Sequence, residues 1–155
     1  MDINCQFVFY LNLEFETLIG RNDIKLAPSY FFVQRNSNYG TLNSVIPFQI
    51  GRLNVGGAMN LATGTFTAPS AGRYLFSLSG IANLNLTRVQ LQLNGVTIGT
   101  AWGELASNTF SLQSTLSLKK GDRVTLVLAS GGINDTSASQ HTHFIGMLLE
   151  EELNL

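Results

Sequence analysis

Apolar and polar residues alternate with a period of two through most of this chain. In "RVQLQLNG", Val89, Leu91 and Leu93 fall on one face and Arg88, Gln90 and Gln92 on the other, the pattern of a half-buried strand. The Asn94-Gly95 pair that closes it tolerates the positive φ of a tight hairpin turn, and "VTIGTA" is predicted to return as the partner strand. "TFSLQSTLSL" alternates in the same way through Phe110, Leu112, Leu116 and Leu118. "KKGD" then turns the chain, and "RVTLVLAS" comes back with Val124, Leu126 and Leu128. Its opposite face carries Thr125 and Val127, which predicts a strand covered on both sides. "HTHFIGMLLE" is nearly all apolar and suits the centre of a sheet or a subunit interface. With "YFFVQR" and "SVIPFQI", and further strands from Thr63 to Gly80, the pattern gives roughly eight to ten short strands. No long stretch has helical spacing, and 15 glycines punctuate the sequence. The expectation is an all-β fold, a jelly-roll β-sandwich.

The segment "TGTFTAPSAGRYLFSLSG", Thr63 to Gly80, is the most informative. Gly64 and Gly72 are placed for sharp turns ahead of strands. Pro69 lacks a backbone donor and belongs in a connection. Tyr74, Phe76 and Leu78 lie at period two and share a face, turned either to the core or to a neighbouring subunit. Residues 1–27 alternate more weakly and carry more charge, and read as an N-terminal extension outside the domain. Residues 151–155 read as a short, solvated acidic tail.

Composition narrows the partners. The 155 residues suffice for one domain with its own core. Charged residues make up only 12% of the chain and the net charge is −1, so Ser, Thr, Asn and Gln must carry the surface. That balance argues against nucleic acid as a partner. No apolar run approaches the roughly eighteen residues of a membrane-spanning helix. The N-terminus shows no convincing secretion signal, and Cys5 is the single cysteine, so no internal disulfide can form.

The intervals between particular residues add a second line of argument. Phe48, Asn54, Met59, Phe66, Gly72, Tyr74, Phe76 and Leu78 resemble the signature of the complement C1q-like globular domain. Met59 and Leu78 depart from it, standing where the pattern has larger rings. "LNVGGAMNLATGTFTAPSAGRYLF", "VQLQLNG", "LSLKKGDRVTLVL" and "THFIGMLL" are similar to successive blocks of that domain and cover residues 28–150. The resemblance implies a ten-stranded jelly roll of tumour-necrosis-factor-like (TNF-like) type, assembled as a homotrimer. It also implies a non-enzymatic, secreted recognition module with a protein, glycan or microbial-surface ligand, of the kind used in innate immune pattern recognition. The collagen-like repeats that precede the domain in many relatives are absent from this chain, as in a head-only form or a piece of a longer one.

Candidate chemistry is sparse. His141 and His143 could face one side of a strand and begin a metal site, as in a metal-dependent jelly-roll enzyme. Zinc or iron needs a third ligand, and only Glu104 or Cys5 could be brought to it. Glu104 is also the single acid in the stretch where some relatives hold calcium, too few for a hard cation. Many serines are present, but none sits in a nucleophile elbow. Asp122 in "KKGD" matches the family's turn aspartate and reads as a turn former. We therefore expect no catalytic residue, no metal and no cofactor. Asn85-Leu-Thr and Asn134-Asp-Thr are N-glycosylation sequons in predicted loops. Trp102, in the loop-like "AWGEL", suits ligand contact if exposed and packing if buried. Three functions follow: a trimeric recognition module that binds through loops such as "GGINDTSASQH", a trimeric signalling ligand for a cell-surface receptor, and the metal enzyme.

Overall fold

The computed structural model describes residue 26 and residues 28–152; the extension expected over 1–27, apart from Leu26, and Cys5 within it lie outside the described residues. The first strands are β1 (Tyr30–Gln34), β2 (Ser37–Tyr39), β3 (Ser44–Val45), β4 (Ile50–Val55), β5 (Met59–Asn60) and β6 (Thr65–Thr67). The longer ones follow: β7 (Gly72–Ala82), β8 (Thr87–Leu93), β9 (Val96–Gly103), β10 (Thr109–Leu118) and β11 (Arg123–Ser130). β12 (Ile133–Thr136) and β13 (His143–Glu151) close the chain. One sheet runs β2-β12-β7-β13-β1-β4, with β10 also on β7, and the other runs β5-β6-β11-β8-β9, with β3 on β11. The two-residue strands β3 and β5 account for part of the excess over ten.

The core is a cluster of rings between the sheets. Phe31, Phe66, Tyr74, Phe76 and Phe144 are all buried. Phe31 meets Phe144 edge-on at 5.0 Å, and Phe66 meets Phe76 edge-on at 5.5 Å, offset arrangements that aromatic quadrupoles favour. Tyr74, Phe76 and Leu78 thus face the core, not a neighbouring subunit. The Tyr74 hydroxyl is satisfied by donating to the Ser70 carbonyl at 2.8 Å. Gly146 of β13 makes room for this cluster, because a Cβ there would meet the rings of both Phe31 and Phe76. β13 lies between β7 and β1, at the centre of its sheet as its apolar run predicts. Thr125 and Val127 are buried as well as Val124, Leu126 and Leu128, so β11 is covered on both faces.

Several expectations are corrected. β10 and β11 do not form a hairpin: β10 pairs β7 from Thr109↔Ile81 to Leu118↔Gly72, and β11 pairs β8 in the other sheet. The "KKGD" turn carries the chain between sheets. Gly72 is extended, not a turn residue; its Cβ would meet the Glu150 backbone carbonyl, so close approach of β13 is what excludes a side chain. Gly64 does turn, at φ 62°. In "SVIPFQI" only the two ends are strand, and Ile46 and Phe48 reach the core from the irregular segment between them. Trp102 belongs to β9 and Asn134 to β12, not to loops.

Asp122 has the turn role expected of it. Its carboxylate accepts from the Asn94 amide at 3.0 Å and from the Lys119 N–H at 2.8 Å. The Asn94 amide, followed by the Lys119 N–H, holds its pKa below the ordinary carboxylate value. A depressed folded pKa contributes stability above about pH 4 that is lost as pH falls through the folded value. Asp122→Asn should therefore lower the melting temperature at neutral pH, and its deficit against the wild type should narrow in thermal melts at successively more acidic pH. Phe76→Ala should cost about 3–5 kcal/mol in urea denaturation, because the cavity it leaves lies among rings on all sides.

Candidate functional site

The residues of the family-like signature are structural. Phe48, Phe66, Tyr74 and Phe76 are core side chains, and Gly72 is a close-approach position. Asn54 ties the turn between β4 and β5: its amide nitrogen donates to the Met59 carbonyl at 2.8 Å, and its oxygen accepts from the Met59 N–H at 3.2 Å. Departure at Met59 costs nothing visible, since that side chain is buried beside the cluster. The ring side chains are closed to solvent, and Asn54, which is exposed, has its side-chain amide engaged by the Met59 backbone.

The outer face of the first sheet is different. Its strand register lays side chains out as a grid. One row runs Leu53, Phe32, Ile145, Ser77 and Gln113, and the next runs Val55, Tyr30, Met147, Leu75 and Thr115. The β4-β1-β13 half is apolar, and β10 beyond it presents Ser, Thr and Gln. Tyr30, Leu53 and Met147 are 41%, 50% and 38% exposed, and with Phe32 and Ile145 they line an apolar groove of about 430 Å³. The sequence pointed to β13 as a possible interface strand, but the contributions of Tyr30, Phe32 and Leu53 appear only once the register is known.

The two histidines do not form a paired face. His141 precedes β13, and its N–H donates to the Asp135 carboxylate at 3.0 Å. His143 opens the strand with its ring against Phe32 and its Nε2 2.9 Å from the Gln34 amide nitrogen and 3.0 Å from the Gln140 carbonyl. Arg52 Nε fixes that glutamine by donating to its oxygen at 2.7 Å. Among the described residues no three His, Cys, Asp or Glu side chains come together as metal ligands, and Glu104 lies with Trp102 rather than with the histidines.

The loop "GGINDTSASQH" is built around buried Asp135, whose carboxylate accepts from the N–H groups of Thr136, His141 and Thr142. Arg35 is buried nearby and holds the backbone carbonyls of Ser37, Pro47 and Asn38. Burial lowers its pKa, while Tyr39 and Asp135 pull it back up. The end of the sandwich is thus preorganised by two internal charges.

At the same end, strand β9 presents Trp102, 51% exposed. The Arg88 guanidinium lies 4.0 Å over its ring, because Arg88 is its cross-strand partner on β8. Asn85 is exposed in the adjoining loop and accepts from the Ala106 N–H at 2.9 Å. Asn134 is half-buried and paired with Ile81. No helix among the described residues is long and apolar enough to cross a membrane.

Comparisons with known proteins agree with this architecture. Complement C1q tumor necrosis factor-related protein 3 of Homo sapiens is 30% identical over 126 residues, 78% of this chain and 51% of that protein. Caprin-2 of Danio rerio is 31% identical over 130 residues, 79% of this chain and 14% of that protein. The chain thus spans about half or less of the length of these relatives. Among solved structures, the globular domain of zebrafish complement 1qA protein superposes with a TM-score of 0.66 at 19% identity, over 80% of this chain and 99% of that one. Eiger TNF from S. frugiperda does so with a TM-score of 0.63 at 12% identity, over 83% and 96%. These likenesses show a jelly-roll fold of the C1q and TNF type. The C1q domain family model matches residues 30–149, and the chain belongs to the C1q domain family.

Proposed function

We propose that this chain is a non-enzymatic recognition module that acts outside the cell as a homotrimer, in innate immune pattern recognition. The observation that carries the assembly is the apolar half of the outer sheet face, which the chain by itself leaves uncovered. Exposed apolar area of this kind marks an interaction site, and burying it against copies of the same chain removes it from water. The asymmetry of the grid suits a threefold ring, whose contacts are heterologous and join different surfaces of successive copies. The signalling-ligand alternative uses the same fold and assembly, and the likeness to Eiger TNF is what favours it. A single saturable receptor partner would distinguish it from a module that reads surface molecules.

Sedimentation velocity at micromolar concentration should show a species of three times the 16.9 kDa chain mass. Met147→Glu and Leu53→Glu place a charge where the isolated chain is open to water, so they should dissociate the trimer without unfolding the monomer. A wild-type chain that sediments as a strict monomer would overturn the proposal. Of the two sequons, Asn85 is the one we expect to carry an N-glycan. It is exposed, and its amide nitrogen makes no hydrogen bond among the described residues. Secreted from eukaryotic cells, the protein should show an enzyme-sensitive mass increment that Asn85→Gln removes and Asn134→Gln leaves in place.

A further inference from the structure

We propose that Asn94 is a modification site, where the chain deamidates through its bond to Gly95 at a rate set by how often the amide escapes from Asp122. Asn94-Gly95 is the single Asn-Gly pair in the sequence, and both residues are exposed at the turn between β8 and β9. The reaction is intramolecular. The Gly95 backbone nitrogen gives up its proton to base and attacks the carbonyl carbon of the Asn94 side chain. A carbon–nitrogen bond forms, and the amide nitrogen leaves as ammonia. Water then opens the resulting cyclic imide at either carbonyl, which leaves an aspartate or an isoaspartate. Water is consumed and ammonia released, with no change of oxidation state. Glycine makes the attacking nitrogen accessible, because it carries no Cβ to crowd the approach.

The fold withholds the amide from that reaction. The Asn94 side-chain nitrogen donates to the Asp122 carboxylate at 3.0 Å, and its oxygen accepts from the Arg123 N–H at 2.8 Å. Both ends of the planar group are thus tied to the turn that enters β11. Its carbon cannot swing onto the Gly95 nitrogen until both bonds open. The backbone is held as well: Asn94 N–H donates to the Arg123 carbonyl at 2.8 Å, and Asn94 and Gly95 keep φ of 50° and 82°. Asp122 is itself anchored. Its second carboxylate oxygen accepts from the Lys119 N–H at 2.8 Å, and its backbone carbonyl accepts from the Ala68 N–H at 2.9 Å. Reaction therefore waits on a local opening of the two turns, which occurs without global unfolding. The product cannot close again in the same way. A carboxylate at position 94 faces that of Asp122, and like charges at one site repel. Isoaspartate also adds a carbon to the main chain of the hairpin turn, whose geometry sets the register of β8 against β9. A passing loosening of the turns is thereby recorded as a permanent one.

The test incubates the full chain in mildly alkaline buffer below its melting temperature. Peptide mapping by mass spectrometry and isoaspartyl methyltransferase labelling follow the product at Asn94. A synthetic peptide of residues 90–99 is the reference for an unrestrained Asn-Gly. The folded chain should react at Asn94 much more slowly than the peptide. Asp122→Ala should speed that reaction about fivefold, the factor for one solvent-exposed hydrogen bond lost from the closed turn. Phe76→Leu weakens the core but leaves this contact alone, so it should not change the rate. A further measurement needs no variant. Urea kept below the unfolding transition should speed deamidation in step with hydrogen exchange at the Arg123 amide, whose N–H the same opening releases. The inference is overturned if the folded chain reacts as fast as the peptide, or if neither the wild type nor folded Asp122→Ala yields product at Asn94. It is equally overturned if Asp122→Ala leaves the rate unchanged, if Phe76→Leu matches it, or if deamidation and Arg123 exchange respond differently to urea.

Discussion

The absence of a side chain at Gly146 is the constraint on which the rest of the sandwich depends. β13 is the central strand of its sheet, and the rings of Phe31 and Phe76 lie where a Cβ at that position would stand. Removing the Cβ lets the rings from both neighbouring strands close over the backbone of the strand between them. Phe66 then reaches Phe31 at 5.4 Å and Phe76 at 5.5 Å from the facing sheet, so one glycine joins two sheets through three rings. The same device recurs at Gly80, which lies under the Phe110 ring. The ring cluster fills the space between the two sheets with apolar side chains.

Much of this was legible in the sequence because period-two alternation states which side of a strand is buried. Tyr74, Phe76 and Leu78 share one face as their spacing requires, the structure turns that face to the core, and Asn94-Gly95 turns with φ of 50° and 82°. Alternation does not state which strand is the neighbour. That is why "KKGD" reads as a hairpin although β10 and β11 lie in different sheets. Gly72 misleads for a related reason: a glycine held for close approach to Glu150 looks the same in sequence as one held for positive φ. Trp102 reads as a loop residue because it is exposed on the edge strand β9, and Asn134 because β12, although flanked by β2 and β7, is only four residues long and too short to show a rhythm. The stacking of Arg88 on Trp102 depends on the β8–β9 register, which only the hairpin geometry supplies.

The histidines show the limit of motif reasoning more sharply. A His-x-His pair on a strand does put both rings on one side. Here the strand begins at His143, and His141 belongs to the loop that Asp135 holds by its N–H groups. The buried Asp135 carboxylate accepts from the backbone N–H groups of Thr136, His141 and Thr142, and the regular strand starts two residues after His141, too late for the pair to form. His143 is then taken up by Gln34, Gln140 and, through Gln34, Arg52. The polar network lies at the foot of the apolar outer face and engages His143 Nε2 there.

The apolar groove on β4, β1 and β13 is a consequence of the same alternation that builds the core. Phe31 and Phe76 turn inward only if their neighbours Tyr30, Phe32, Leu75 and Ser77 turn outward, because successive side chains of a strand point to opposite faces. What distinguishes the two halves of the outer face is therefore the residue type at those outward positions. On β1, β4 and β13 they are Tyr30, Phe32, Leu53, Ile145 and Met147, whereas on β10 they are Ser111, Gln113, Thr115 and Ser117. A strand whose outward positions need only face water is satisfied by Ser, Thr and Gln, as β10 is. The large apolar side chains across β7 are not required by the core, which the inward rings already fill. Their presence on that half of the sheet is the feature of this chain that the internal packing leaves unexplained, and exposed apolar area of that kind is what a contact with another surface would remove from water.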